Sequence, residues 1–111
     1  MSADALVAEL YSDLPPVPGF EHDGWQVLRG IQAIERAWTR TFDVRIRGID
    51  VELMVSDCYD GTGPIDRTAP AVVLRSDGDY TLTPELARRV ASVLTHAADE
   101  AERMQDEESG R

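Results

Sequence analysis

The stretch Ser76 to Met104, SDGDYTLTPELARRVASVLTHAADEAERM, constrains the fold more than any other. Helix-start signals converge at Thr83. A Thr at the N-cap accepts a hydrogen bond from an orphan amide of the first turn. Pro84 follows at the first helical position, where a missing N–H costs nothing. Glu85 adds a carboxylate at the positive end of the macrodipole. Behind the cap, Leu86, Val90, Val93, Ala97, Ala101 and Met104 recur at steps of three and four, which is one helical face. Ala87, Ala91, Leu94 and Ala98 widen that face into a broad stripe. The opposite face carries Arg88, Arg89, Ser92, His96, Asp99, Glu100 and Arg103, with Glu85–Arg89 and Asp99–Arg103 at the favourable i,i+4 spacing. A helix is predicted over 84–104. Its apolar stripe must cover a sheet or a second copy of itself.

The strands come before it. Trp38, Phe42, Val44 and Ile46 share one face of an extended run, interrupted by Arg40. Ile49, Val51, Leu53 and Val55 line a second. Arg47-Gly48 between them can make a tight turn, with Gly supplying positive φ, and a single long bulged strand is the alternative. Ala71 to Arg75 is short and apolar and reads as a buried third strand. Asp77-Gly78 then signals a hairpin turn, leading back through Tyr80-Thr81-Leu82 into the cap. Cys58 to Pro70 is a loop by composition. Val27, Ile31, Ile34 and Trp38 step as a helix would, but Gly30 sits in the middle and Trp25, Val27, Arg29 and Ile31 alternate, so residues 25–29 lean to strand or irregular structure. Residues 31–37 stay open between helix and strand.

The remaining segments are peripheral. Ser2 to Tyr11 reads as a short helix within residues 1–13, marginal unless docked. Leu14-Pro15-Pro16-Val17-Pro18-Gly19 stops it and makes 14–24 a stiff Pro-rich linker. Residues 105–111, QDEESGR, are too polar to pack and are expected to fray as a disordered acidic tail. The reading is α+β: an antiparallel sheet of three or four strands over 25–104, covered on one face by one long C-terminal helix.

Composition narrows function. No apolar run approaches a membrane span. The N-terminus MSADALVAELY has two acids and no basic residue, so no secretory signal is expected. With Cys58 as the lone cysteine, a reducing cytoplasmic setting is expected. A net charge of −10 argues against nucleic acid as a direct partner. Residues 1–48 hold 7 acids and 5 Arg, whereas 49–111 hold 14 acids and 6 Arg. Arg29 to Arg47 is a local excess of basic charge inside this acidic chain. All 11 basic residues are Arg, and Asn is also missing. Lys and Asn both use A-rich codons, so a GC-rich genome explains both gaps.

No catalytic set is visible. Asp57, Asp60 and Asp66 fall in or directly beside the predicted loop but lack the calcium-loop spacing, so a solvated loop is expected rather than a metal site. Cys58, His22 and His96 match neither a zinc nor a triad signature. Gly61-Thr62-Gly63 lacks the Lys of a phosphate loop. No enzyme activity and no cofactor are therefore expected. The candidate partner-binding residues are Trp25, Arg36 and Arg40, an aromatic–arginine group of the kind that anchors protein partners, and Asp99, Glu100 and Glu102 on the helix. Trp38 is expected in the core.

Leu82–Glu102, LTPELARRVASVLTHAADEAE, resembles the closing strand-to-helix segment of small domains of unknown function from actinobacteria and their phages. The resemblance covers about a third of the chain, implies no activity and agrees with a GC-rich source. Two expectations follow. One is a small acidic protein that associates with itself as a homodimer or with another protein through helix or sheet-edge surfaces. The other is an acidic inhibitor, or nucleic-acid mimic, that occupies a basic site on a host enzyme.

Overall fold

The computed structural model describes residues 15–28, 33–59 and 64–109. The expected Ser2–Tyr11 helix and Asp60–Gly63 lie outside the described residues. Among the described residues six strands and one helix follow in order: β1 Glu21–His22, β2 Gln26–Leu28, β3 Ala33–Ile46, β4 Ile49–Tyr59, β5 Asp66–Arg67, β6 Ala71–Ser76 and α1 Pro84–Ser109. β1 and β2 pair antiparallel with β3, β3 neighbours β4, and β5 and β6 pair antiparallel with β4. The α+β class holds. Residues 33–37, left open by their pattern, are strand.

The chain divides into two compact units, Met1–Thr39 with Val55–Ala69, and Arg40–Met54 with Pro70–Arg111. β3 and β4 each give one part to either unit.

In the second unit the turn at Arg47-Gly48 forms as expected, with Gly48 at φ 86. A Cβ at Gly48 would run into the Tyr80 hydroxyl and lie 2.7 Å from the Asp77 carboxylate. These two side chains hydrogen-bond to each other over the turn, and the Asp77 amide donates to the Gly48 carbonyl at 3.1 Å. The expected Asp77-Gly78 hairpin is therefore absent. Gly78 does not take the positive φ that such a turn needs, and the chain proceeds directly into α1. Inward alternation is otherwise as read: Phe42, Val44, Ile49, Val51 and Leu53 are buried, with Val90, Ala97 and Ala101 of the helix.

The helix start also forms as read. The Leu86 amide donates to Thr83 Oγ1 at 3.2 Å, and the Ala87 amide to the Thr83 carbonyl at 2.9 Å. Its end differs. The helix continues through Gln105–Ser109, the segment expected to fray. Arg103 stabilises this turn by bonding Glu100 at 2.8 Å and Glu107 at 2.6 Å, rather than the expected Asp99. The apolar stripe is narrower than predicted, since Ala87 and Ala91 are exposed.

β6 forms but is not buried. It pairs on one side with β4, Val51 opposite Leu74 and Leu53 opposite Val72. No other described strand pairs with it, and five of its six residues are exposed.

In the first unit the Pro-rich segment is more than a spacer. Val17 is buried, the Phe20 amide closes a turn onto the Val17 carbonyl at 3.2 Å, and β1 adds to β3. The expected Cys58–Pro70 loop likewise contains structure. Cys58 and Tyr59 end β4, and β5 pairs Arg67 with Asp57.

Candidate functional site

The inward alternation Val51, Leu53, Val55 runs on along β4 to Asp57, and there the core turns polar. Asp57 is 0% exposed, so its charge must be met by donors. Three side chains supply them. Arg67 Nε donates to Oδ1 at 2.7 Å and Arg67 Nη2 to Oδ2 at 3.1 Å. Arg36 donates through Nε at 3.2 Å and Nη2 at 2.9 Å, both to Oδ2. The Trp38 indole N–H donates to the same oxygen at 2.7 Å. Burial pushes the Asp57 carboxyl up, but the hydrogen bonds from Arg67, Trp38 and Arg36 prevail and hold it below the usual carboxylate range.

β3 presents Arg36 and Trp38 on one face, two residues apart, and β5 brings Arg67 to the register position opposite Asp57. Around the ion cluster lie aromatic faces. The Arg36 guanidinium sits 4.6 Å from the Trp25 ring centroid and 4.8 Å from that of Trp38. Such contacts strengthen when desolvated. His22 packs on Trp38 at 4.3 Å between centroids. Arg67 Nη2 also donates to the Pro15 carbonyl at 2.7 Å, which ties the Pro-rich segment to β5.

Asp57, assigned by composition to a solvated loop, is thus a buried hub of this unit. A metal does not fit it, because two guanidinium groups already occupy both oxygens. Among the described residues no group of His, Cys, Asp and Glu is placed to hold a metal. Next to the hub, burial and then the carboxylates of Glu35, Asp57 and Asp66 push the Cys58 thiol up. A raised thiol is a poor nucleophile at neutral pH.

The candidate partner residues divide between the units. Trp25 is half-buried and Arg36 belongs to the Asp57 cluster, 14% exposed in its side chain. In the second unit, Arg40 lies over Phe42 at 4.8 Å and reaches Glu100 at 3.4 Å. Arg103 first, and then Arg40, hold the Glu100 carboxyl below its usual range. Asp99 and Glu102 are exposed. His96 is exposed, as its face implied, and meets Phe42 edge-on at 5.4 Å.

A second candidate surface is the outer edge of β6. Antiparallel partners share a sheet face, so Val72 and Leu74 lie on the face of Leu53 and Val51. Those two β4 residues are 0% exposed, whereas Val72 is 36% and Leu74 54% exposed. The buried sheet face therefore ends in an uncovered apolar rim. The sequence carried this signal as an apolar run, but not its exposure.

Compared with protein-family models, curated proteins and solved structures, the chain matches none. No helix among the described residues is long and apolar enough to cross a membrane.

Proposed function

We propose that this chain is a small acidic interaction module that associates with itself in the cytoplasm and carries no enzymatic activity of its own. One observation carries this reading: the apolar rim of β6, Val72 and Leu74, is exposed beside a strand edge that no other described strand pairs. Such edges pair with other chains unless they are guarded. The all-Arg, Asn-free composition supports an origin in a GC-rich actinobacterium or its phage. The test is sedimentation equilibrium of the purified full chain at micromolar to tens of micromolar concentration. Twice the chain mass is expected. A monomer throughout overturns the reading.

A second reading is favoured by the length of α1. Because the helix reaches Ser109, Asp99, Glu102 and Asp106 stand exposed at i, i+3 and i+7 on one face. This row supports an acidic inhibitor of a basic site. Its test is capture of a basic host enzyme by the wild-type chain and by the Asp99→Lys, Glu102→Lys, Asp106→Lys variant. Equal capture by both sinks this alternative.

A further inference from the structure

The two outer strands of the second unit are built differently. No described strand pairs with the outer side of residues 40–46 of β3, and this edge is blunted. Arg45 sits at φ 60 with its amide bonded to Asp43 Oδ1 at 2.8 Å, and Arg40, Asp43 and Arg45 supply charges along it. A left-handed residue and alternating charges are the ordinary defences of a strand edge. β6 has neither. Its backbone holds no residue of positive φ, and residues 71–74 are Ala-Val-Val-Leu. Its one charge, Arg75, is matched within the chain by Glu52 at 3.0 Å.

From this contrast we infer that the β6 edge is the homodimer interface: two copies of Ala71–Ser76 pair antiparallel, about a twofold axis through Val73. The inference rests on the self-association reading and names its surface. The register follows from symmetry and charge. A twofold axis between antiparallel neighbours is perpendicular to the sheet and places one residue opposite its own copy, with matching faces adjacent. Centred on Val73, Val72 of each copy faces Leu74 of the other, and the two rims join into one four-residue apolar strip. Arg75 then faces Ala71. The two Arg75 side chains stand four residues apart along the ladder, about 13 Å. No like charges oppose one another, which would otherwise cost stability.

A second copy suits this edge better than a charged partner strand does. The edge's one charge, Arg75, is already answered within the chain by Glu52, and its own six residues answer its length and its apolar spacing. The dimer continues each three-stranded sheet of this unit into its copy and places both helices on one side.

The experiment uses the full chain in two forms. Val72→Lys with Leu74→Lys places charges on already exposed positions. It is expected to weaken dimerisation by about a hundredfold or more, through lost apolar burial and like charges across the ladder, with melting of the monomer unchanged. Val73→Cys on a Cys58→Ser background is expected to form a covalent dimer on mild oxidation. Directly opposed Cα atoms lie about 4.5–5.5 Å apart, within disulfide reach. A covalent dimer also upholds the interface if the Lys variant fails to fold. If the Lys variant stays dimeric and Val73→Cys does not cross-link, the edge inference falls while self-association stands. An Ala91→Glu variant that is then monomeric would move the interface to the helix. A wild-type monomer overturns both, whether or not the edge takes a foreign strand.

Discussion

Asp57 shows how much one residue decides here. Three donors converge on a carboxylate with no exposed surface, and both guanidinium groups are themselves largely covered. An ion pair of this kind adds little over an apolar replacement, because desolvation offsets the attraction. Breaking it is a different matter, since two largely covered cations lose their partner. Asp57→Ala is expected to cost about 3–5 kcal/mol, a large share of the roughly 5–15 kcal/mol of a domain this size. Urea unfolding measures it, and a loss under about 1 kcal/mol would show that the cluster has slack. The pH dependence has a definite sign. The folded carboxyl titrates below its ordinary value of about 3.9, so its contribution is fully present above that value and is lost as pH falls through the lower, folded one. The stability gap between wild type and Asp57→Asn should therefore shrink on acidification from about pH 6 towards pH 2. A gap that is constant over that range contradicts the assignment.

Elements were legible where their signals are local. Thr83-Pro84-Glu85 fixes the helix start, and the Thr83 hydroxyl caps it. Alternation from Trp38 to Val55 marks β3, β4 and their buried face. Exposure was not legible, because it depends on neighbours. An apolar AVVLR run is the same in a central strand and an edge strand, and only pairing on one side leaves Leu74 in solvent. Asp57 was readable in part. It sits two residues beyond Val55, at the next inward position, but a carboxylate stops an alternation search that counts only apolar residues. Arg67, its partner across β5, carried no signal, because a two-residue strand has no period. The turns separate local signal from context most clearly. Gly48 and Gly78 both sit at turn signals, yet only Gly48 takes positive φ beneath a covering side chain. Gly48→Ala is expected to cost about 1–2 kcal/mol from the left-handed conformation alone. Gly78→Ala meets open space and should stay within about 0.5 kcal/mol. Thermal melting of both variants checks this, and equal melting temperatures would refute the role given to the Gly48 turn.

At the scale of the whole molecule, charge separates the two functional readings. The basic excess of Arg29 to Arg47 is not a free patch among the described residues. Arg36 is met by Asp57, and Arg40 by Glu100. The described Arg side chains of this stretch left in solvent, Arg45 and Arg47, do not offset a net charge of −10. Two such chains repel each other at long range, whereas the β6 rims that would join them are uncharged. Salt screens the repulsion and leaves apolar contact intact or strengthened. A basic enzyme is attracted by the same charge, and salt weakens that attraction. The two readings therefore predict opposite responses. Between about 0.01 M and 1 M salt the screening length falls from about 30 Å to about 3 Å. Over that range the self-association constant, followed by sedimentation, should rise. A self-association constant that falls steeply with salt would mean that complementary charged patches, not the apolar edge, hold the copies together. The Asp99, Glu102 and Asp106 face would then be the surface to mutate next.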